Sequence, residues 1–290
     1  MEKFIIISDT NSGIMQEEAK ELGIEVVAMP FNIDGEEHLE GVDLSQEKFY
    51  ESLIAGCDIK TSQPSLMYLE EMWERLLKDY EQILYIPTSS GLSGTYDNAS
   101  RLAENYNNKV IMVNNKRISC HLKESVLFAI ELKKQGKSAE EIKTILEDTK
   151  HKQTSYIVVD TLKYLKKGGR VSPTAATIGT MLNVKPILYT RGETFDKCGF
   201  ALSIAQAKKT MIKKVKFDME NEFKEDYEKG YMTVSVAHAQ NMVQALKFKE
   251  EILKELPLLK FRFVDDVSLS VACHVGPGMI AITASYNDTL

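Results

Sequence analysis

Short apolar segments rich in β-branched residues alternate with longer amphipathic segments through the first half of this 290-residue chain. The pattern predicts strands at residues 4–7, 24–29, 83–87 and 110–113, with amphipathic helices in the segments between and after them. Strands that alternate with helices form parallel βαβ units. We therefore expect a parallel sheet whose ligands bind beyond the carboxyl ends of its strands.

The second half has a different pattern. It predicts strands at 156–160, 186–189, 233–238, 261–264, 268–273 and 279–284, and helices at 173–182, 205–228 and 242–255. Few helical residues separate the last three strands, which favours antiparallel pairing. We predict two α/β domains, residues 1–153 with a parallel sheet and residues 154–290 with a mixed or antiparallel sheet. No low-complexity linker separates them, which favours tight packing with a site between the domains.

Composition excludes several classes of function. The chain has 36 Lys and Arg against 42 Asp and Glu, a net charge of −6, whereas nucleic acid binding requires a basic surface. No apolar run reaches the roughly 20 residues of a membrane span. The first residues lack a signal-peptide cleavage region, and the four cysteines form no CxxC pair. We expect a cytoplasmic protein without a metal or disulfide framework.

Two clusters of hydroxyl side chains precede predicted helices. In residues 60–65 (KTSQPS), Ser62 or Ser65 can cap the following helix, and the same hydroxyl and N–H groups can bind an anion. Residues 87–95 (PTSSGLSGT) follow a predicted buried strand and contain more hydroxyls and glycines than a cap requires. The spacing matches neither a nucleophile elbow nor a P-loop. This second cluster indicates ligand recognition.

Two further clusters contain an arginine and a histidine. In residues 168–172 (GGRVS), the double glycine can bring the backbone close to another group or turn a corner, and Arg170 is either structural or functional. His274 is predicted at the end of a strand, before a Gly-Pro-Gly bend, and both interpretations are again open. Asp9 follows the first strand, where it can contact a ligand or cap the turn.

Taken together, these clusters resemble the DegV family of bacterial fatty-acid-binding proteins. Six motifs occur in the family's order over nearly the whole chain: residues 8–10 (SDT), 61–65 (TSQPS), 90–96 (SGLSGTY), 165–172 (LKKGGRVS), 184–188 (VKPIL) and 274–278 (HVGPG). The chain departs from the family at residues 117–123 (RISCHLK), where a glycine-rich stretch is common.

The resemblance implies two α/β domains with one long-chain fatty acid between them, and no cofactor. It implies a non-catalytic subunit in phospholipid synthesis, which presents the fatty acid to a separate ATP-dependent fatty acid kinase for acyl-phosphate formation. A transient contact with a membrane surface is compatible with this role. By motif matching, the carboxylate is held by Thr61 and Ser93, with support from Ser62, Gly94 and Gly169, while Arg170 and His274 lie near the head group and assist kinase docking or transfer. Candidate walls of the acyl tunnel, equally interpretable as ordinary core, are Ile178, Met181, Leu182, Ile187, Leu188 and Met279.

Two alternatives stay open. A serine hydrolase of acyl esters would use Ser93 as nucleophile and His274 as base, and a fluorophosphonate probe would then label Ser93. A phosphate- or nucleotide-binding protein would use the loop at residues 91–95, and ATP alone would then raise the melting temperature.

Overall fold

The computed structural model describes residues 2–177 and 184–290. Two compact units can be distinguished. The first unit comprises Met1–His151 together with Ser268–Ser270, and the second unit comprises Lys152–Val267 together with Val271–Leu290.

The first unit contains two sheets. Its strands are β1 (Glu2–Asp9), β2 (Glu25–Val27), β3 (Pro30–Ile33), β4 (Glu36–Leu39), β5 (Ile59–Thr61), β6 (Tyr80–Tyr85) and β7 (Val110–Met112). Its helices are α1 (Gln16–Leu22), α2 (Gln46–Ala55), α3 (Leu66–Leu76), α4 (Thr95–Ala103), α5 (Cys120–Lys134) and α6 (Ala139–Asp148).

The larger sheet has the strand order β2-β1-β6-β7, and all its pairs are parallel, as predicted. Ile6 pairs with Leu84, and both side chains are buried. Strands covered on both faces need continuous apolar runs, which explains why the sequence revealed them. On one face the buried Trp73 of α3 packs edge-on against Tyr85 of β6, with 6.3 Å between ring centroids.

The smaller sheet, of order β4-β3-β5 and antiparallel, was not predicted. Its strands have only three or four residues, and β4 is largely polar. The turn between β3 and β4 is Asp34-Gly35, both with positive φ (50° and 99°), which is a hairpin signal that the sequence analysis missed. This sheet determines where β5 ends, at Thr61, which pairs with Phe31 of β3.

Within its described residues, the second half of the chain adds six strands and six helices. The strands are β8 (Gln153–Val158), β9 (Lys185–Thr190), β10 (Asp196–Ala201), β11 (Met232–His238), β12 (Lys260–Asp266) and β13 (Ile280–Tyr286). The helices are α7 (Lys163–Gly168), α8 (Pro173–Ala176), α9 (Ile204–Glu220), α10 (Lys224–Glu228), α11 (Met242–Glu255) and α12 (Leu269–Val275).

The second unit is built on one mixed sheet of order β10-β9-β8-β13-β11-β12. The antiparallel pairing predicted among the last three strands is wrong: residues 269–273 are helical, and β12 and β13 lie on opposite sides of β11, which is antiparallel to β13 and parallel to β12. Helix α11 connects β11 to β12 and allows this parallel crossover. Its buried Phe248 and Ile252 pack in the same core as Met211 of α9 and Ile282 of β13.

Three predicted elements of the second half do not match the structure in full. Residues 268–273, predicted as a strand, lie in the segment that forms α12, because a short, continuously buried run has no period that separates strand from helix. The helix predicted at 205–228 ends at Glu220 and resumes as α10. Of the helix predicted at 173–182, the structure shows α8, while 178–182 lie outside the described residues. In the described ranges, no helix combines the length and apolar character needed to cross a bilayer.

Candidate functional site

Asp9 joins the loops that follow β1 and β6. Its carboxylate accepts hydrogen bonds from the N–H of Thr88 (2.7 Å), the hydroxyl of Thr88 (2.7 Å) and the N–H of Asn11 (3.1 Å). From β1 the chain first adds β2 on one side and later adds β6 on the other side. Open parallel sheets bind ligands at the point between two such strands. Burial raises the pKa of Asp9 to about 6, against the lowering effect of these hydrogen bonds. Asp9 therefore caps the turn and fixes the loops.

The loop at residues 87–95 is preorganised around Ser93. The Ser93 N–H donates to the Ser89 carbonyl (3.0 Å), and the Ser93 hydroxyl lies 2.9 Å from the Thr95 hydroxyl and accepts from the Thr95 N–H (3.3 Å). Helix α4 begins at Thr95, and its N-cap, Gly94, contributes no side-chain cap. The half-buried Ser93 hydroxyl thus lies at a helix N-terminus, where N–H groups favour an anion.

Thr61 is the last residue of β5 and is half-buried. The next residue, Ser62, is exposed and donates its N–H to the Pro30 carbonyl (3.2 Å). Ser65, the other cap candidate, is the N-cap of α3 and accepts from the Tyr68 N–H (3.2 Å). Hence the cap role belongs to Ser65.

Gln63 connects the Thr61 segment to the Ser93 segment. Its side-chain oxygen accepts a hydrogen bond from Asn98 of α4 (2.8 Å), and a Cβ atom built on Gly94 would lie 2.8 Å from the same oxygen. A side chain at position 94 would therefore displace the Gln63 amide. The structure brings together the segments that carry Thr61, Ser62, Ser93 and Gly94. The sequence analysis did not single out Gln63, because an exposed amide gives no signal until its partner is known.

Glu40 is a buried carboxyl group that the sequence analysis also missed. It accepts hydrogen bonds from the Thr10 hydroxyl (2.6 Å) and from the N–H of Leu269. Burial raises its pKa to about 7, and the charge of Asp9 acts in the same direction. The adjacent Ser268 hydroxyl donates to Asn11 (2.9 Å). These hydrogen bonds hold residues 268–270 in the first unit. The bonded residues are more than 200 positions apart in the sequence, so no local sequence pattern predicts the contact.

In the second unit, Arg170 and His274 meet at Gly168. The Arg170 guanidinium donates to the Gly168 carbonyl, and a Cβ atom on Gly168 would lie 1.9 Å from His274 Nδ1. Burial and the charge of Arg170 lower the pKa of His274 to about 4. Gly169 ends α7 with φ +68° and donates to the Lys166 carbonyl (3.2 Å). His274 lies in α12, which corrects its predicted position at a strand end.

The donors of these sites suit an anion better than a metal. In the part of the chain that the structure describes, no three His, Cys, Asp or Glu side chains are arranged to hold a metal ion. Thr61 and Ser93 supply hydroxyls, which can donate to carboxylate oxygens. Three of the candidate wall residues, Ile187, Leu188 and Met279, are buried in the second unit, while 178, 181 and 182 lie outside the described residues.

The fold is that of a two-unit α/β protein, and comparison with known proteins gives its family. Residues 3–287 match the model of the family described as "Uncharacterised protein, DegV family". A DegV domain-containing protein of Clostridium perfringens is 32% identical over 290 residues, which cover 97% of each chain. The chain belongs to the DegV family.

Solved structures agree with this assignment. DegV of Bacillus subtilis, described as a fatty acid binding protein, is 27% identical, with a TM-score of 0.83 over 99% of this chain and all of that one. A DegV family protein of Ruminococcus gnavus, described with vaccenic acid, is 26% identical, with a TM-score of 0.81 over 97% of this chain and 99% of that one.

Proposed function

We propose that this protein binds one long-chain fatty acid and presents its carboxylate to a separate ATP-dependent kinase, without catalysing a reaction of its own. The observation that carries the proposal is the junction in the first unit where Gln63 connects the segments of Thr61 and Ser93. The fatty acid ligands named for the Bacillus and Ruminococcus proteins support it.

The proposed head-group site uses uncharged donors. A carboxylate removed from water costs several kcal/mol unless it is hydrogen-bonded. When Thr95 donates in its hydrogen bond with Ser93, the Ser93 hydroxyl hydrogen is available to a carboxylate oxygen. The Thr61 hydroxyl would serve the second oxygen. Hydroxyls satisfy the oxygens without a bidentate guanidinium, so a lone pair stays available for reaction.

The acyl chain would supply most of the binding free energy. Burial of about 14 methylenes at about 0.8 kcal/mol each gives roughly 11 kcal/mol before the costs of association. The net value is several kcal/mol smaller, which still allows the lipid to stay bound during purification.

In the reaction that the kinase would catalyse, a carboxylate oxygen attacks the γ-phosphorus of ATP, the bond from that phosphorus to the β,γ-bridging oxygen breaks, and ADP leaves. The product carries more negative charge than the carboxylate. Arg170 and His274 would stabilise that charge through charge-assisted and neutral hydrogen bonds. We therefore assign the carboxylate to Thr61 and Ser93 and the phosphoryl group to Arg170 and His274.

Mass spectrometry of the purified protein under native and denaturing conditions tests lipid binding. We expect a non-covalent adduct of about 280 Da, the size of an 18-carbon acid, which is released on denaturation. Oleic acid retention should fall in Ser93→Ala and stay unchanged in Ser65→Ala. The second variant is the matched control, because the Ser65 hydroxyl caps α3. If no adduct is found and the protein takes up no added oleic acid, the proposal is refuted.

A second experiment tests the division of roles. Arg170→Ala should retain oleic acid yet give little acyl-phosphate with ATP and a DegV-dependent fatty acid kinase. Equal loss of lipid in Arg170→Ala and Ser93→Ala would contradict the division. Labelling of Ser93 by a fluorophosphonate would instead favour the hydrolase alternative.

A further inference from the structure

In the second unit, residues 160–168 pack directly against residues 274–278. A Cβ atom on Gly168 would lie 1.9 Å from His274 Nδ1 and 2.6 Å from its Cε1. A Cβ atom on Gly276 would lie 2.4 Å from the Tyr164 ring, and one on Gly278 would lie 3.0 Å from the Asp160 carboxylate. Each contact has a glycine on one side.

The spacing of these contacts is regular. Asp160 lies three residues before α7, and Tyr164 and Gly168 are four residues apart on one face of the helix. Their partners Gly278, Gly276 and His274 are two residues apart and run in the opposite direction. Residues 274–278 therefore lie antiparallel to α7, and His274 is the side chain that reaches the end of the helix.

Gly168 also contacts the other candidate head-group residue. Its carbonyl accepts from the Arg170 guanidinium, and the Arg170 N–H donates to the Leu165 carbonyl (3.2 Å). The imidazole thus occupies the space that a side chain at 168 would fill, while the guanidinium is bonded to the carbonyl of the same residue.

We propose that Gly168 is a positioning residue, which by lacking a side chain places the His274 imidazole beside the Arg170 guanidinium so that both can bind one phosphoryl group. The inference rests on the proposed function, in which these two residues bind the phosphorylated head group. The charge of Arg170 acts on the ring, and Lys167 and Arg170 both act on the neighbouring Cys273. Asp160, at the other end of the contact, is paired with Lys185 (2.7 Å).

The first test is Gly168→Ala, examined by NMR with isotope-labelled histidine. An added methyl group would overlap the ring and displace it from its buried position. The pKa of His274 should then rise by at least one unit from its value of about 4 towards the ordinary value of about 6.5. Gly199→Ala is the control, because a Cβ atom there has no neighbour within 4 Å. An unchanged His274 titration in Gly168→Ala would overturn the proposal.

The second test measures binding of oleoyl phosphate and oleic acid. Gly168→Ala should bind oleoyl phosphate at least tenfold more weakly than the wild type, and oleic acid within twofold of it. Equal affinities of the two proteins for oleoyl phosphate would contradict a positioning role. If the wild type binds neither lipid, the proposed function fails, and the histidine titration still decides whether Gly168 positions the ring.

A double variant keeps the inference testable if Gly168→Ala folds poorly. His274→Ala removes the ring that the new methyl group would strike, so Gly168→Ala/His274→Ala should melt no lower than His274→Ala alone. If the losses in melting temperature of the two single variants add in the double variant, the methyl group clashes with a group other than His274, and the proposal is wrong.

Discussion

The buried Glu40 makes a quantitative prediction about stability and pH. Its pKa in the folded protein is about 7, against an ordinary value of 4.5. A carboxyl group with a raised pKa binds its proton more tightly in the folded state. Its stabilising contribution is therefore complete below about pH 4.5 and is lost as the pH rises through about 7. At 1.36 kcal/mol per unit, the ionised form costs about 3 kcal/mol of stability above that range.

Glu40→Gln removes this ionisation and keeps the shape of the side chain. The amide oxygen can accept from the Leu269 N–H, and the amide nitrogen can donate to the Thr10 hydroxyl. We expect the variant to be more stable than the wild type at pH 8, by about 1–3 kcal/mol. Below pH 5 the advantage should disappear. Asp9, whose pKa is also raised by burial, keeps a weaker dependence of the same sign.

Urea unfolding between pH 5 and pH 8 measures this effect, with intrinsic fluorescence as the signal. The chain has a single tryptophan, Trp73, which is buried in the first unit with Glu40, so the signal reports on that unit. Glu37→Gln is the control, because Glu37 is exposed on the same hairpin. A Glu40→Gln variant less stable than the wild type at pH 8 would show that the ionised carboxylate stabilises the fold, and the reasoning would be refuted.

Three further predictions concern the first unit. Ser119 has φ 54° and ψ −137°, a conformation that suits glycine, so Ser119→Gly should raise the free energy of unfolding by about 1 kcal/mol in urea titrations. Gln63→Ala removes the bond to Asn98 and should lower oleic acid retention severalfold without a large change in melting temperature. Ser138→Ala breaks the capping box with Glu141 and should cost about 1 kcal/mol of stability, with lipid retention unchanged.

The sequence predicted the elements whose signal is local. β1 and the second half of β6 were predicted because residues 4–7 and 83–85 are apolar runs buried on both faces. The capping box of Ser138 and Glu141 is also a local signal, because its two members are only three residues apart. The β4-β3-β5 sheet was not predicted, because its strands are too short to show a periodic pattern. Helix α12 was predicted as a strand, because a short segment with few exposed residues shows no helical periodicity.

The sequence predicted which loop segments belong to the candidate site, but not the contacts that join them. Motif order indicated Thr61 and Ser93, but the contact that joins their segments runs from Gln63 to Asn98, a pair 35 residues apart. The double glycine had two interpretations, and both apply, one to each residue. Gly168 allows close approach of His274, and Gly169 turns the chain. Tertiary contacts of this kind leave no mark in composition or periodicity, so the structure was needed to separate them.

Under the proposed function, the buried charge of the first unit bears on how the ligand is exchanged. Arg117 is fully buried, and its guanidinium donates hydrogen bonds to the Ser125 hydroxyl (2.9 Å) and the Thr149 carbonyl (3.3 Å). Burial lowers its pKa to about 10, so it stays charged near neutrality, and it serves the fold. A buried cation placed at the lipid carboxylate would be left uncompensated each time the ligand departed, at a cost of several kcal/mol. The Thr61 and Ser93 hydroxyls carry no such cost, because they can return to water or to neighbouring groups. Under the proposed function, neutral donors at the carboxylate therefore allow both retention and release.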